Sequence, residues 1–207
     1  MKTFNQILNF RLIALLFVAV FAASCSNDDD AAPEEENEVE VITSVSLIFT
    51  NNADATDVVT ATAVDPDGEG IQELQVNDEI TLTADATYTL TMAILNALDP
   101  ADVEDIGEEI LEEDDEHQFF FSFTTDVFAD PAGNGNFDDA ADAINYNDTD
   151  DNGNPVGLST SWTTNAAAST GGSFRVRLQH QPDIKTADTG VNDGDTDFDL
   201  TFVLNVQ

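Results

Sequence analysis

The stretch "EITLTADATYTLTMAIL" (Glu79–Leu95) sets the fold class. Ile80 and Leu82, then Tyr88, Leu90, Met92 and Ile94, fall on one face at a spacing of two. That is the period of a half-buried strand, in which successive side chains point to opposite faces. Threonine fills many of the alternate positions, and it suits a pleated, half-buried surface. The same pattern spreads outward along the chain. "VEVITSVSLIFT" (Val39–Thr50) puts Val39, Val41, Val45, Leu47 and Phe49 in phase, and "DVVTATAV" (Asp57–Val64) follows as a weaker strand. "HQFFFSF" (His117–Phe123) and "LSTSWTT" (Leu158–Thr164) are strongly apolar on one face. "GGSFRVRLQHQ" (Gly171–Gln181) aligns Phe174, Val176, Leu178 and His180 against Arg175 and Arg177. "DTDFDLTFVLNV" (Asp195–Val206) closes the chain with Phe198, Leu200, Phe202, Leu204 and Val206 inward. Many strands, little helix and turn-rich connections predict an all-β sandwich with long acidic loops.

A local detail narrows that class. "LTADATY" sets Leu82 six residues before Tyr88, with a turn at Ala84-Asp85. It resembles the tyrosine corner of immunoglobulin and fibronectin-III-like sandwiches, whose hydroxyl bonds back to upstream backbone. Ala84 and Asp85 stand where that motif usually has proline and glycine. Two helical pieces are also expected. Asp99-Pro100 reads as the start of a short helix, with Val103, Ile106 and Ile110 on one stripe. "FDDAADAI" (Phe137–Ile144) reads as a second helical turn.

The chain has 207 residues, with 42 acidic and five basic, for a net charge of −37. Nucleic-acid binding needs clustered Lys and Arg and is excluded. Cations or basic protein patches are the partners such a charge admits, and solubility is the plainer reason for it. At the N-terminus, Lys2 and Arg11 precede an apolar run, "LIALLFVAVFA" (Leu12–Ala22), which is too short for a membrane span. Residues 1–24 therefore read as a signal peptide. Ala22, Ala23, Ser24 and Cys25 resemble a bacterial lipobox, although leucine more often stands at the place of Ala22. The resemblance implies that Cys25 is lipidated and anchors the protein in the outer membrane. "SNDDD" (Ser26–Asp30) resembles the acidic surface-export signal of one Gram-negative phylum, which implies exposure on the cell surface. Residues 25–38 read as lipidated cysteine and disordered acidic tether, and residues 39–207 as a single β-sandwich domain.

Two constellations carry candidate chemistry. Asp148, Asp150, Asn152 and Gly153 fit the opening D-x-D-x-[DN]-G of a calcium loop. The twelfth place holds Ser159 rather than a bidentate glutamate, so the pattern is not an EF-hand. Other acidic turns (Asp65–Gly70, Asp130–Asp139, Asn192–Asp199) share the composition, but Asp, Asn and Gly also simply make good turns. The second constellation is the pair of histidines, the only two in the chain. His117 opens one strand and His180 ends another. If those strands are antiparallel neighbours, both imidazoles share one rim, next to "EEDDE" (Glu112–Glu116), in which Asp114, Asp115 and Glu116 offer oxygens. Such a rim suits zinc, copper or haem iron. A lone histidine at a strand end is more often just a satisfied residue. No nucleophile elbow, zincin motif or second cysteine points to catalysis, and the chain reads as a non-enzyme.

The signal, the tether, "EEDDEHQFFFSF", "YNDTDDNGNPVGLS" and "VRLQHQPD" together resemble an uncharacterised family of bacterial surface lipoproteins. Its members often carry the label "type 1 periplasmic binding fold superfamily protein" and are found near TonB-dependent receptors. The resemblance implies a role in receptor-driven nutrient or metal uptake. The label implies a two-lobed α/β fold, whereas the strand pattern implies all-β. The expectation is a lipid-anchored surface binding protein, possible cofactors being calcium, zinc, copper or haem. The alternative is a structural or adhesive lipoprotein with calcium-stabilised loops.

Overall fold

In the structure, a computed structural model, residues 41–65, 67 and 73–207 are described. The signal peptide, Cys25, the tether, Val39 and most of the Asp65–Gly70 turn lie outside the described residues. The described strands are β1 (Ser44–Asn51), β2 (Asp54–Val64), β3 (Gln75–Val76), β4 (Ile80–Leu82), β5 (Thr87–Asn96) and β6 (Glu104–Asp105). After helix α1 (Ile106–Glu112) come β7 (His117–Phe123), β8 (Phe128–Asp130), β9 (Ser159–Thr164), β10 (Ser169–His180) and β11 (Asp195–Val206). The larger sheet runs β3-β2-β1-β5-β9-β8, with β6 also on β5, and the smaller runs β4-β11-β10-β7. Every pairing is antiparallel except β4 with β11. The architecture is all-β, as the period-two pattern requires, and is not the α/β arrangement that the family label implies. No described helix is long and apolar enough to cross a membrane.

The inward faces of both sheets join in one hydrophobic core. Val45, Leu47 and Phe49 of β1 are fully buried, as are Phe174, Val176 and Leu178 of β10. The sheets touch where the Phe49 ring meets Phe174 edge-on at 5.6 Å. Trp162 of β9 gathers Phe121, Phe123, Phe128 and Phe174 within 4.8–5.4 Å, edge-on or tilted. Such contacts favour ring pairs beyond the area they bury.

The stretch Glu79–Leu95 is two strands rather than one. β4 lies in the smaller sheet and β5 in the larger, so the chain changes sheets between them. Asp85 takes φ 54° at the turn, the left-handed region that a glycine would favour and aspartate tolerates. The Tyr88 hydroxyl accepts the Thr83 N–H at 3.0 Å and donates to Asp57 at 3.2 Å. The expected bond back to upstream backbone is present.

Both helical expectations need correction. Asp99 caps only one turn, taking the Ala101 N–H on its side chain and the Asp102 N–H on its carbonyl. Glu104 and Asp105 then pair with Leu95 and Asn96 as β6, which draws this backbone into the sheet. The helix starts only after Asp105, whose carboxylate accepts the Gly107 N–H. Ile106 and Ile110 are buried on its inner face, while Val103 lies outside it and is half exposed. Phe137–Ile144 forms no helix; its ordered feature is a turn at Asp139–Asp142.

β7 is an edge strand, yet only Ser122 along it is not buried. The segment 134–157 covers its open side. Phe119 N–H donates to Val156, Phe123 N–H to Asn134, and Asn136 N–H to Phe121. The Asn136 side chain accepts the Phe121 N–H, and the Tyr146 hydroxyl donates to the Phe119 carbonyl. An open edge is a template for unwanted pairing, and this one is closed.

Candidate functional site

β7 and β10 are antiparallel neighbours, and their register places His117 directly opposite His180. The two imidazoles stack face to face, with centroids 4.5 Å apart and planes within 4°. His117 is fully buried and His180 nearly so. Helix α1 delivers the acidic partners, because its C-terminal turn ends at Glu113, just before the strand begins. His117 Nδ1 lies 3.2 Å from the Glu113 carbonyl and 4.0 Å from the Glu113 carboxylate. On the other ring, His180 Nε2 lies 3.1 Å from the Glu116 carboxylate. One donor atom from each of Glu113, His117 and His180 falls within 4.8 Å of the other two.

The hydrogen bonds assign the His117 tautomer. A carbonyl oxygen can only accept, so Nδ1 carries the proton and donates to Glu113. Nε2 then holds a lone pair, and it is buried with no hydrogen-bond partner among the described residues. Burial, with help from His180, pushes the His117 pKa down to about 4, so the ring is neutral at ordinary pH. A neutral imidazole with Nδ1–H on a backbone carbonyl and Nε2 free is the form that ligates a metal.

Sequence reasoning missed two members of this rim. Glu113 was hidden in a run of acids, and only the helix end singles it out. Asp197 enters through a bulge. The β10–β11 ladder pairs Leu178 with Phe198 and Gln179 with Thr196, so Asp197 has no opposite residue. Its Oδ2 is buried without a partner among the described residues. Desolvation raises its pKa to about 6, with His180 acting the other way. Gly194 at φ +85° lets the chain pass close: a Cβ there would meet the His180 carbonyl at 2.1 Å.

Of the named acids, Glu116 joins the rim, and Asp114 and Asp115 act instead on Lys185.

The Asp148 turn is built differently. Asp148 accepts the Gly157 and Ser159 N–H groups, one on each oxygen, at 2.8 and 3.0 Å. Asp150 accepts N–H groups from Asn152 and Asn154 on one oxygen and the Asn154 side-chain amide on the other. Lys185 Nζ stands 3.4 Å from Asp150, both side chains being almost wholly buried. Asn152 serves this turn through its backbone N–H. None of these bonds is to a histidine, and protein donors hold the carboxylates of Asp148 and Asp150.

The other basic groups among the described residues are also engaged. Arg175 and Arg177 both bind Asp199 and both lie over the Phe137 ring, at 4.7 and 5.4 Å from its centroid. Fold and site together define an all-β acidic domain with a histidine–carboxylate rim. No family model, curated protein or solved structure matches the chain.

Proposed function

We propose that this is a lipid-anchored protein of the cell surface that captures a divalent transition metal, of the zinc or copper class, at the His117/His180 rim. The observation that carries the reading is the His117 ring: its Nδ1–H is spent on a carbonyl, and its Nε2 lone pair is buried and unfilled beside a second imidazole. Glu113 and Glu116 supply carboxylates, giving a mixed nitrogen and oxygen set that suits zinc and copper. Capture requires the rings to tilt out of their stack until two nitrogens converge on one ion. The lipobox resemblance at Cys25, the acidic tether and the family resemblance support an outer-membrane location for this activity, with a TonB-dependent receptor to accept the cargo. The Tyr88 corner supports assigning the sandwich to the immunoglobulin and fibronectin-III-like group.

The chain's two histidines give a clean test. Zinc is titrated into residues 26–207 while the imidazole C–H resonances are followed. Both rings should shift together and stop at one equivalent. If neither ring moves, the site is not a metal site.

A further inference from the structure

We infer that the acidic turn around Asp150 is a cation site whose resident cation is the protein's own Lys185 ammonium, so that its order is independent of calcium. The turn has the residue pattern of a calcium loop, and the surroundings of Lys185 have the matching chemistry. Its Nζ meets the Asp150 carboxylate and the main-chain carbonyl of Asp114. Asp114 and Asp115 act on it from the preceding loop, and Asp151 acts on Asp114. A carboxylate, a backbone carbonyl and further carboxylates close by are donors of the kind a hard divalent ion takes, fewer here than the six to eight oxygens that calcium coordinates. The lysine side chain is 1% exposed and Asp150 is fully covered, so the ammonium is not a passing surface contact.

Geometry favours the tethered amine over a free ion. Asp148 accepts a backbone N–H on each carboxylate oxygen, so the loop already holds both oxygens. Only the Asp150 oxygen facing Lys185 accepts a charged partner. The tether also joins distant parts of the chain. Lys185 sits in the loop between β10 and β11, Asp150 in the loop before β9, and Asp114 in the loop before β7.

The test uses residues 26–207, which contain every described residue and have Lys185 as their sole lysine. The Lys185→Met variant keeps the length of the stem and removes the charge. In chelator its Tm should fall by roughly 5–10 °C, as loss of one partner leaves Asp150 buried and unpaired. Millimolar calcium at constant ionic strength should recover much of that loss, and the added change Asp150→Asn should abolish the recovery. The wild type should show no calcium shift. A variant that melts like the wild type, fails to respond to calcium, or responds no more than the wild type overturns the inference. Should the variant not fold, 15N-lysine labelling of the wild type decides. A single ammonium signal protected from exchange and indifferent to calcium is expected; a rapidly exchanging one overturns the inference.

Discussion

At the scale of the residue, two titratable groups of the rim work against each other. His117 titrates at about 4 when folded and near 6.5 when unfolded. Between those values the unfolded chain binds the extra proton, so the stability that His117 contributes is lost as pH falls through that window. Asp197 titrates at about 6 when folded and 3.8 when unfolded. There the folded chain binds the extra proton, so its contribution falls as pH rises from 3.8 to 6. In metal-free buffer the two slopes oppose, and single variants separate them. Asp197→Asn should stabilise the protein by roughly 1–2 kcal/mol at pH 7.5, where the carboxylate is charged and its Oδ2 is buried without a hydrogen-bond partner among the described residues. Urea unfolding should show that gain shrinking below pH 5. A gain equal at both pH values would mean that Asp197 is not the buried carboxylate described. His117 and His180 were legible because each is in phase with the apolar face of its own strand. Asp197 was not, since its burial depends on a bulge that the alternation of "DTDFDLTF" conceals.

At the scale of the element, β7 depends on the segment that seals its edge. Asn136→Ala removes the acceptor for the buried Phe121 N–H and the donor to Tyr146. It should cost roughly 1–3 kcal/mol by urea denaturation. Gly135→Ala should cost at least as much, because φ is +93° and a Cβ would lie 2.1 Å from the Phe121 carbonyl. If both variants unfold with the wild type, the edge is sealed by other contacts. Strands with strict alternation were readable one by one, including both arms of Glu79–Leu95. What alternation cannot encode is which sheet each arm joins: β4 is placed by β11, more than a hundred residues away, and β5 by β1 and β9 on either side of it in the chain. The helix moved for a similar reason. Asp99-Pro100 is a good local start, and pairing of Glu104–Asp105 with β5 overrides it. The acidic turn shows the same limit: its calcium-like pattern is local, and Lys185, which fills it, is distant in sequence.

At the scale of the whole molecule, charge dominates. Three basic residues lie beyond Cys25 against 42 acids, and all three are held in ion pairs. The folded domain therefore compresses unbalanced negative charge, which salt screens. Its Tm should rise as sodium chloride goes from about 10 mM to about 0.5 M, where the Debye length shrinks to a few ångströms. A flat response would mean that self-repulsion does not limit stability. In the proposed function this field concentrates cations at the surface and the histidines select among them, since imidazole nitrogen favours zinc and copper over calcium and magnesium. Calorimetric titration of zinc or copper(II) into residues 26–207 measures that selection. One tight site per chain is expected, lost in a His117→Ala/His180→Ala variant whose β-rich circular dichroism is unchanged. Absence of stoichiometric binding in the wild type, or equal binding in the variant, would contradict it.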